Sequence, residues 1–221
     1  RNLSKCVADH GISADEGERS CLVPPRNCSV RVSYLAMPFL GVDQSLNGTG
    51  LCLLASDERV AQLSTVDPGN PVDGKRLVAI KDALVTLCRS VEWRLDFAAL
   101  EGYSMGSVNR PFDLGEVGGI IRLILTDNDI PYVVVPPVLV KSFATGTPGA
   151  PKEAMVAAAK ALGVTPHTDD EADAFFLARI ARAYHSKVDM SRREMDVVHA
   201  LKNPKPRAPR KRPRKLIANA I

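Results

Sequence analysis

The sequence predicts an α/β protein, a single mixed sheet of five strands with helices packed against it. Three observations carry that expectation. Residues 39–65 break into three short apolar runs divided by turn residues, as a strand meander does. After them the periodicity alternates in the order helix, strand, helix, strand, helix. The chain has 221 residues, 45% of them hydrophobic, enough for one sizeable core.

Each element has its own local signal. "FLGV" at 39–42 and "LCLLAS" at 51–56 read as strands joined by "SLNGTG", whose Asn47-Gly48 pair favours a tight hairpin. "RVAQLST" at 59–65 is the third strand, and a helix over about 72–93 follows. "RLDFAALEG" forms a fourth strand ending at Glu101, and "FDLGEVGGIIRLILTDN" an amphipathic helix. "PYVVVPP" has the continuous apolar run of a short, fully buried strand. "PKEAMVAAAKALG" places Pro151 in a first helical turn and Gly163 past the last one. A final helix is expected over 170–185 with Asp169 as its cap.

The ends differ from this body. Residues 1–36 are polar and aperiodic, and the first methionine is Met37, directly before "PFLGVDQS". They are expected to be an extension preceding a folded domain at 37–201. From 202 the run "KNPKPRAPRKRPRK" holds four prolines and no apolar face, so 202–221 should be a disordered basic tail. The formal charge of +4 hides this asymmetry: eight of the 29 Lys and Arg lie in 202–221, which has no acid, leaving 21 against 25 acids and a net of −4 for the rest. Lys202, Lys205, Arg207, Arg210, Lys211, Arg212, Arg214 and Lys215 are therefore candidates to neutralise DNA phosphates without reading sequence. A solvated tail that aids solubility, or that binds another partner, is the competing reading.

No apolar run approaches the ~20 residues needed to span a bilayer, and no secretory signal opens the chain, so a soluble cytoplasmic protein without a membrane partner is expected. An odd number of cysteines, five, suits reduced thiols. Cys6, His10, Cys21 and Cys28 have the side chains of a zinc site, but their spacing matches no compact knuckle.

Four acids stand out by position. Asp43 closes the first strand and is the one charged residue in "FLGVDQSLNGTGLCLL"; Glu101 closes the fourth; Asp170 and Asp173 share one face of the last helix. If the first and fourth strands are neighbours, all four converge at one end of the sheet, where like charges repel unless divalent cations hold them. Oxygen-only ligation suits Mg²⁺, with Mn²⁺ as a substitute, and two such ions ~4 Å apart can activate water and stabilise the leaving oxygen in phosphodiester hydrolysis. Each acid also has a plainer reading. An Asp before an Asn-Gly turn is often only a turn residue. Asp170 and Asp173 could be first-turn acids that suit the helix dipole. Glu101, between the apolar "FAAL" and Gly102, is harder to dismiss, because strand ends facing a crevice are where α/β proteins place their sites.

The order "GVDQSLNGTG", "ALEGYSMG", "DDEADAFFLA" resembles the RuvC-type Holliday-junction resolvases, and the similarity runs over residues 39–185. "LGEVGGIIRLIL" resembles that family's central helix, with Gly115 and Gly118 allowing close packing, and "PPVLVKSFATGTPGAPKEAM" resembles its lysine-bearing DNA-contact segment. The resemblance implies a ribonuclease-H-like fold and a homodimer that cuts four-way DNA junctions. It makes Asp43, Glu101, Asp170 and Asp173 the metal-binding catalytic acids. It places Lys141 and Lys152 on the DNA backbone near the cut, where solvated surface lysines are the alternative. Tyr103 lies near the family's junction-inserting aromatic, but two residues after the Glu rather than three, so a buried or interface tyrosine is an equal reading. The chain departs from the pattern in reading Asp-Gln-Ser where many bacterial members have Asp-Pro-Gly, and in its basic tail. Both departures suit a divergent branch, such as a bacteriophage version acting in an infected host.

Two other classes compete. An actin-like or sugar-kinase ATPase also carries an Asp before a Gly/Thr-rich turn, but it needs a duplicated domain and a second phosphate loop, and the sequence has no repeat. A catalytically inactive ribonuclease-H-like DNA-binding module would not need acids at all four positions. Among nucleases, a DNA/RNA-hybrid ribonuclease would use the same metal logic, but the Asp-x-x-Asp helix and the lysine segment favour the resolvase branch. The expected function is Mg²⁺-dependent, structure-selective cleavage of branched DNA.

Overall fold

A computed structural model describes residues 37–45, 48–67, 74–103 and 111–204. The extension at 1–36, Asn47 and the tail beyond residue 204 lie outside the described residues.

The meander is present as β1 (Phe39–Asp43), β2 (Thr49–Leu54) and β3 (Val60–Val66), paired antiparallel. Asp43 pairs with Gly50 at the end of the ladder, and the Asn47-Gly48 turn expected beyond it lies partly outside the described residues. Helix α1 (Lys75–Ser90) follows and stops where Glu92 and Trp93 take left-handed φ of 53° and 59°. β4 (Phe97–Glu101) then adds parallel to β1, Val42 opposite Leu100, and β5 (Tyr132–Val135) adds parallel to β4, giving the order β3-β2-β1-β4-β5. Between them runs α2 (Pro111–Asp127), and after β5 come α3 (Pro137–Thr145), α4 (Lys152–Ala161), α5 (Asp169–His185) and α6 (Arg192–Lys202).

Strand alternation sorts the core into two layers. Leu40, Val42, Leu51, Leu53, Ala98 and Leu100 face α1 and α2, meeting Ile80, Leu84, Val117 and Ile121. Phe39, Cys52, Leu54, Phe97 and Ala99 face the opposite way, onto Ala174, Phe175, Phe176 and Ala178 of α5. That second layer is very tight. A Cβ on Gly41 would collide with the Ala174 carbonyl and the Ala178 amide, and one on Gly50 with the Asp170 carbonyl, so the α5 backbone lies directly on β1 and β2.

Several expectations need correction. β5 is not fully buried: it is an edge strand, with only Val135 buried and Val134 39% exposed, because nothing described pairs with its outer side. The cap of α5 is Thr168, whose hydroxyl accepts from the Glu171 amide at 3.1 Å; Asp169 is the first helical residue. Pro151 stands at the N-cap of α4 rather than inside its first turn. Gly118 is closely packed as expected, but Gly115 is open, with nothing within 4 Å of an added Cβ. Helices α3 and α6 were not foreseen; α6 is anchored by a capping box between Ser191 and Glu194 and by buried Val197 and Val198.

Candidate functional site

Strand parity aims the acids. Asp43 continues the Phe39, Gly41 face of β1, and Glu101 continues the Phe97, Ala99 face of β4; both faces look onto α5. Because β1 and β4 are parallel neighbours, their C-terminal acids sit side by side. The close seat of α5 on Gly41 and Gly50 brings its N-terminal end, with Asp170 and Asp173, over the same strand ends. Gly48 completes the approach, since a Cβ there would lie 2.5 Å from the Asp170 carboxylate.

All four acids line one crevice of about 430 Å³ together with Lys141 and Lys152. Burial pushes the Asp43 carboxyl well above the usual carboxylate range, helped by the charge of Glu101, a hydrogen bond to it, and the charges of Asp173 and Asp170. Glu101 is also raised by burial, against the opposing pull of its Asp43 hydrogen bond and of Lys141. Asp170 is raised by burial and then by neighbouring Asp169. Asp173 is pushed up to about 7 by burial, by Glu101 and by Asp169. Its Oδ1 is buried without a hydrogen-bond partner.

Such a set is costly without compensation. Four carboxyls that resist ionisation, one with an orphaned oxygen, form a hard-oxygen donor set that a divalent cation would satisfy. Among the described residues no three His, Cys, Asp or Glu side chains are gathered into a preformed cage. The crevice brings the four acids beside one another, with Asp43 and Glu101 near enough to shift each other's carboxyl. The residues therefore fit a metal centre by their chemistry, an all-carboxylate donor set with one buried oxygen left unpartnered.

The two lysines differ. Lys141, on α3, reaches the crevice half-buried and lowers the carboxyls of both Glu101 and Asp173. Lys152, at the start of α4, is paired with Asp169, and that contact raises its own pKa. Tyr103 stands at the crevice mouth, 41% exposed, with the Arg122 guanidinium donating to its hydroxyl at 2.6 Å and lying 5.0 Å from its ring centre. Lys202 is elsewhere. It lies over Tyr184 at 5.1 Å, and Tyr184 stacks on Phe97, the first residue of β4, at the end of the strand opposite Glu101. The other tail cations, Lys205, Arg207, Arg210, Lys211, Arg212, Arg214 and Lys215, lie outside the described residues.

Sequence reasoning missed Gln44 and Arg122. Gln44 is buried at the crevice floor and its side-chain amide donates to the Glu101 carbonyl. Its position directly after Asp43 was the one available signal. Cys52 and Cys88 are free, buried thiols whose pKa burial pushes up to about 12, too high for a thiolate nucleophile. No described helix is long and apolar enough to cross a membrane.

No protein-family model matches the chain. Among curated proteins it is 29% identical over 150 residues to a crossover junction endodeoxyribonuclease RuvC of Parasynechococcus marenigrum, covering 64% of this chain and 96% of the relative. It is 32% identical over 149 residues to the RuvC of Thermomicrobium roseum, covering 64% of this chain and 90% of that one. Among solved structures, Thermus thermophilus RuvC in complex with a Holliday junction substrate superposes with a TM-score of 0.57 at 18% identity, over 75% of this chain and 94% of the other, a likeness of fold.

Proposed function

The chain belongs to the RuvC family of crossover junction endodeoxyribonucleases, and on that premise we propose that it cuts four-way and related branched DNA through the Asp43, Glu101, Asp170, Asp173 crevice. The observation that carries this is the convergence of four raised carboxyls from three separate elements on one crevice with two lysines. The four acids would hold two Mg²⁺ ions, with Mn²⁺ as a substitute. Bound there, the ions supply Lewis-acid activation of water and stabilisation of the leaving oxygen.

The chain's own residues do the rest. Lys141, facing the carboxyls without an ion-pair partner among the described residues, would take a phosphate oxygen beside the scissile bond. Lys152, held by Asp169, would position the strand at the rim. The Tyr103 ring, exposed at the mouth, would meet the branch point. Seven cations beyond residue 204 would bind the duplex arms.

A homodimer suits two cuts across a junction with two-fold symmetry. One face of α2 supports it: Phe112 is 84% and Leu123 59% exposed, and between them Gly115 and Gly119 have nothing within 4 Å of an added Cβ, so a second copy could approach the helix backbone closely. Domain limits of 37–201 for the nuclease body fit this reading, and a site of action where chromosomal or phage DNA is recombined, the bacterial cytoplasm, follows from the substrate.

The test is incubation of the protein with end-labelled four-way junction, Y-fork, linear duplex and RNA/DNA hybrid, each with Mg²⁺ or EDTA. Metal-dependent cutting of the junction in preference to duplex and hybrid is expected. Preferential cutting of the hybrid would assign a ribonuclease instead, and tight junction binding without any cutting would assign an inactive binding module.

A further inference from the structure

Three polar groups from three elements meet above Gly118. A Cβ on that glycine would run into the Tyr103 hydroxyl and would lie 2.6 Å from Arg122 Nη1 and 2.7 Å from Gln44 Oε1. Gln44 follows Asp43 at the end of β1, Tyr103 follows Glu101 by two residues at the end of β4, and Arg122 belongs to α2. Gln44 already ties the two strand ends together: the Glu101 carbonyl can only accept, so the amide presents its NH₂ to it. That orientation turns Oε1 away, towards Gly118, where it is buried and has no hydrogen-bond partner. Tyr103, for its part, accepts from Arg122 at 2.6 Å, which leaves its own O–H proton free for one acceptor. The unsatisfied acceptor and the available donor lie around the same point without being joined.

We propose that Gln44, Tyr103 and Arg122 form a latch over Gly118 that DNA closes, and that Gln44 is the positioning residue through which nucleic acid seated on Tyr103 and Arg122 sets the placement of Asp43 and Glu101. The inference rests on the nuclease reading above and deepens it. The ring of Tyr103 is the exposed part of the latch, and Gln44 is the buried part. Nucleic acid pressing on the ring beneath the guanidinium moves the hydroxyl; a small rotation brings its proton onto Gln44 Oε1. The amide is then fixed at both ends, and with it the backbone carbonyl of one acid and the residue adjoining the other. An unsatisfied buried acceptor favours the closed form. Glycine at 118 is required by the latch itself, since any side chain would occupy the meeting point. This gives the Asp-Gln-Ser motif a reason for its glutamine: proline at that position has no amide with which to make the tie.

The experiment is a double-mutant cycle on the full-length protein with Gln44→Ala, Tyr103→Phe and the pair, reading single-turnover cutting of pre-bound junction, junction affinity and thermal midpoint. Each single change should slow cutting about tenfold, a loss of about 1.4 kcal/mol of transition-state stabilisation. Gln44→Ala should leave junction affinity within about twofold, and the pair should be no slower than either single variant. Gly118→Ala, which keeps every polar group but fills the meeting point, should reproduce the Tyr103→Phe rate. Multiplicative losses, near one hundredfold in the pair, would overturn the latch, as would a normal rate for Gln44→Ala or for Gly118→Ala. Gly118→Ala also decides the matter if Gln44→Ala does not fold. A wild-type protein that cuts no junction sinks the nuclease reading instead, so the two failures are distinguishable.

Discussion

Replacing Asp173 by Asn should abolish cutting and, without metal, stabilise the protein at high pH. Asp173 is held at about 7 in the folded chain against a reference of 3.8. A raised carboxyl binds its proton more tightly in the folded than in the unfolded state. Its contribution to stability is therefore fully present below pH ~4 and is lost as pH rises through ~7. The difference of about 3 units, at about 1.4 kcal/mol each, bounds the loss at about 4 kcal/mol. Asp173 is not wholly enclosed and its neighbours titrate with it, so about 2 kcal/mol is the working figure. At about 2 to 4 °C per kcal/mol for a domain this size, Asp173→Asn should raise the midpoint at pH 8 in EDTA by about 4 to 8 °C. At pH 4.5 the folded carboxyl is protonated and only the unfolded one is ionised, so the gap should shrink to about 1 to 2 °C. Mg²⁺ should raise the wild-type midpoint at pH 8 and the variant's much less. A variant that melts lower than wild type at pH 8, or by the same margin at both pH values, would refute the idea that carboxyl repulsion is stored in this crevice.

Other outcomes follow from the same geometry. Glu101→Gln should cost several orders of magnitude in cutting rate, as a lost metal ligand does, with junction affinity in gel shifts largely kept because no phosphate contact is removed. Removing 205–221 takes away seven cations; if about half engage DNA, the log–log salt slope of binding should flatten by about 3, while the Mg²⁺ requirement and junction preference stay. An unchanged slope would exclude the tail as a DNA-binding element. A chain starting at Met37 should melt and cut like the full chain, and a tenfold loss, about 1.4 kcal/mol, would show that residues 1–36 contribute.

The sheet was legible because its signals are local: "LCLL" and "FAAL" are short apolar runs bounded by turn residues, as strands buried on both faces are. The strand ends at Asp43 and Glu101 were legible too, but that β1 and β4 are parallel neighbours with both acids facing α5 is visible only in the fold. β5 misled because an apolar run of four cannot reveal whether a further strand pairs beyond it. Helix α6 was hidden in a charged stretch, since "RREMDVVHALK" buries few apolar residues and its start depends on a capping box. Thr168 rather than Asp169 caps α5 because Thr168 also meets Thr65 of β3 at 2.6 Å, a tertiary contact that no local rule encodes. Gln44 and Arg122 were invisible for the same reason: their partners stand 57 and 19 residues away.

The proposed function depends on four acids from β1, β4 and α5 acting as one metal-dependent centre for cutting branched DNA. Mapping the cuts made in a strand-by-strand end-labelled four-way junction tests it most directly. Paired nicks are expected at symmetry-related positions in two opposing strands with Mg²⁺, and none with EDTA or with Asp43→Asn. Paired nicks that persist in EDTA, or in Asp43→Asn at the wild-type rate, would contradict it.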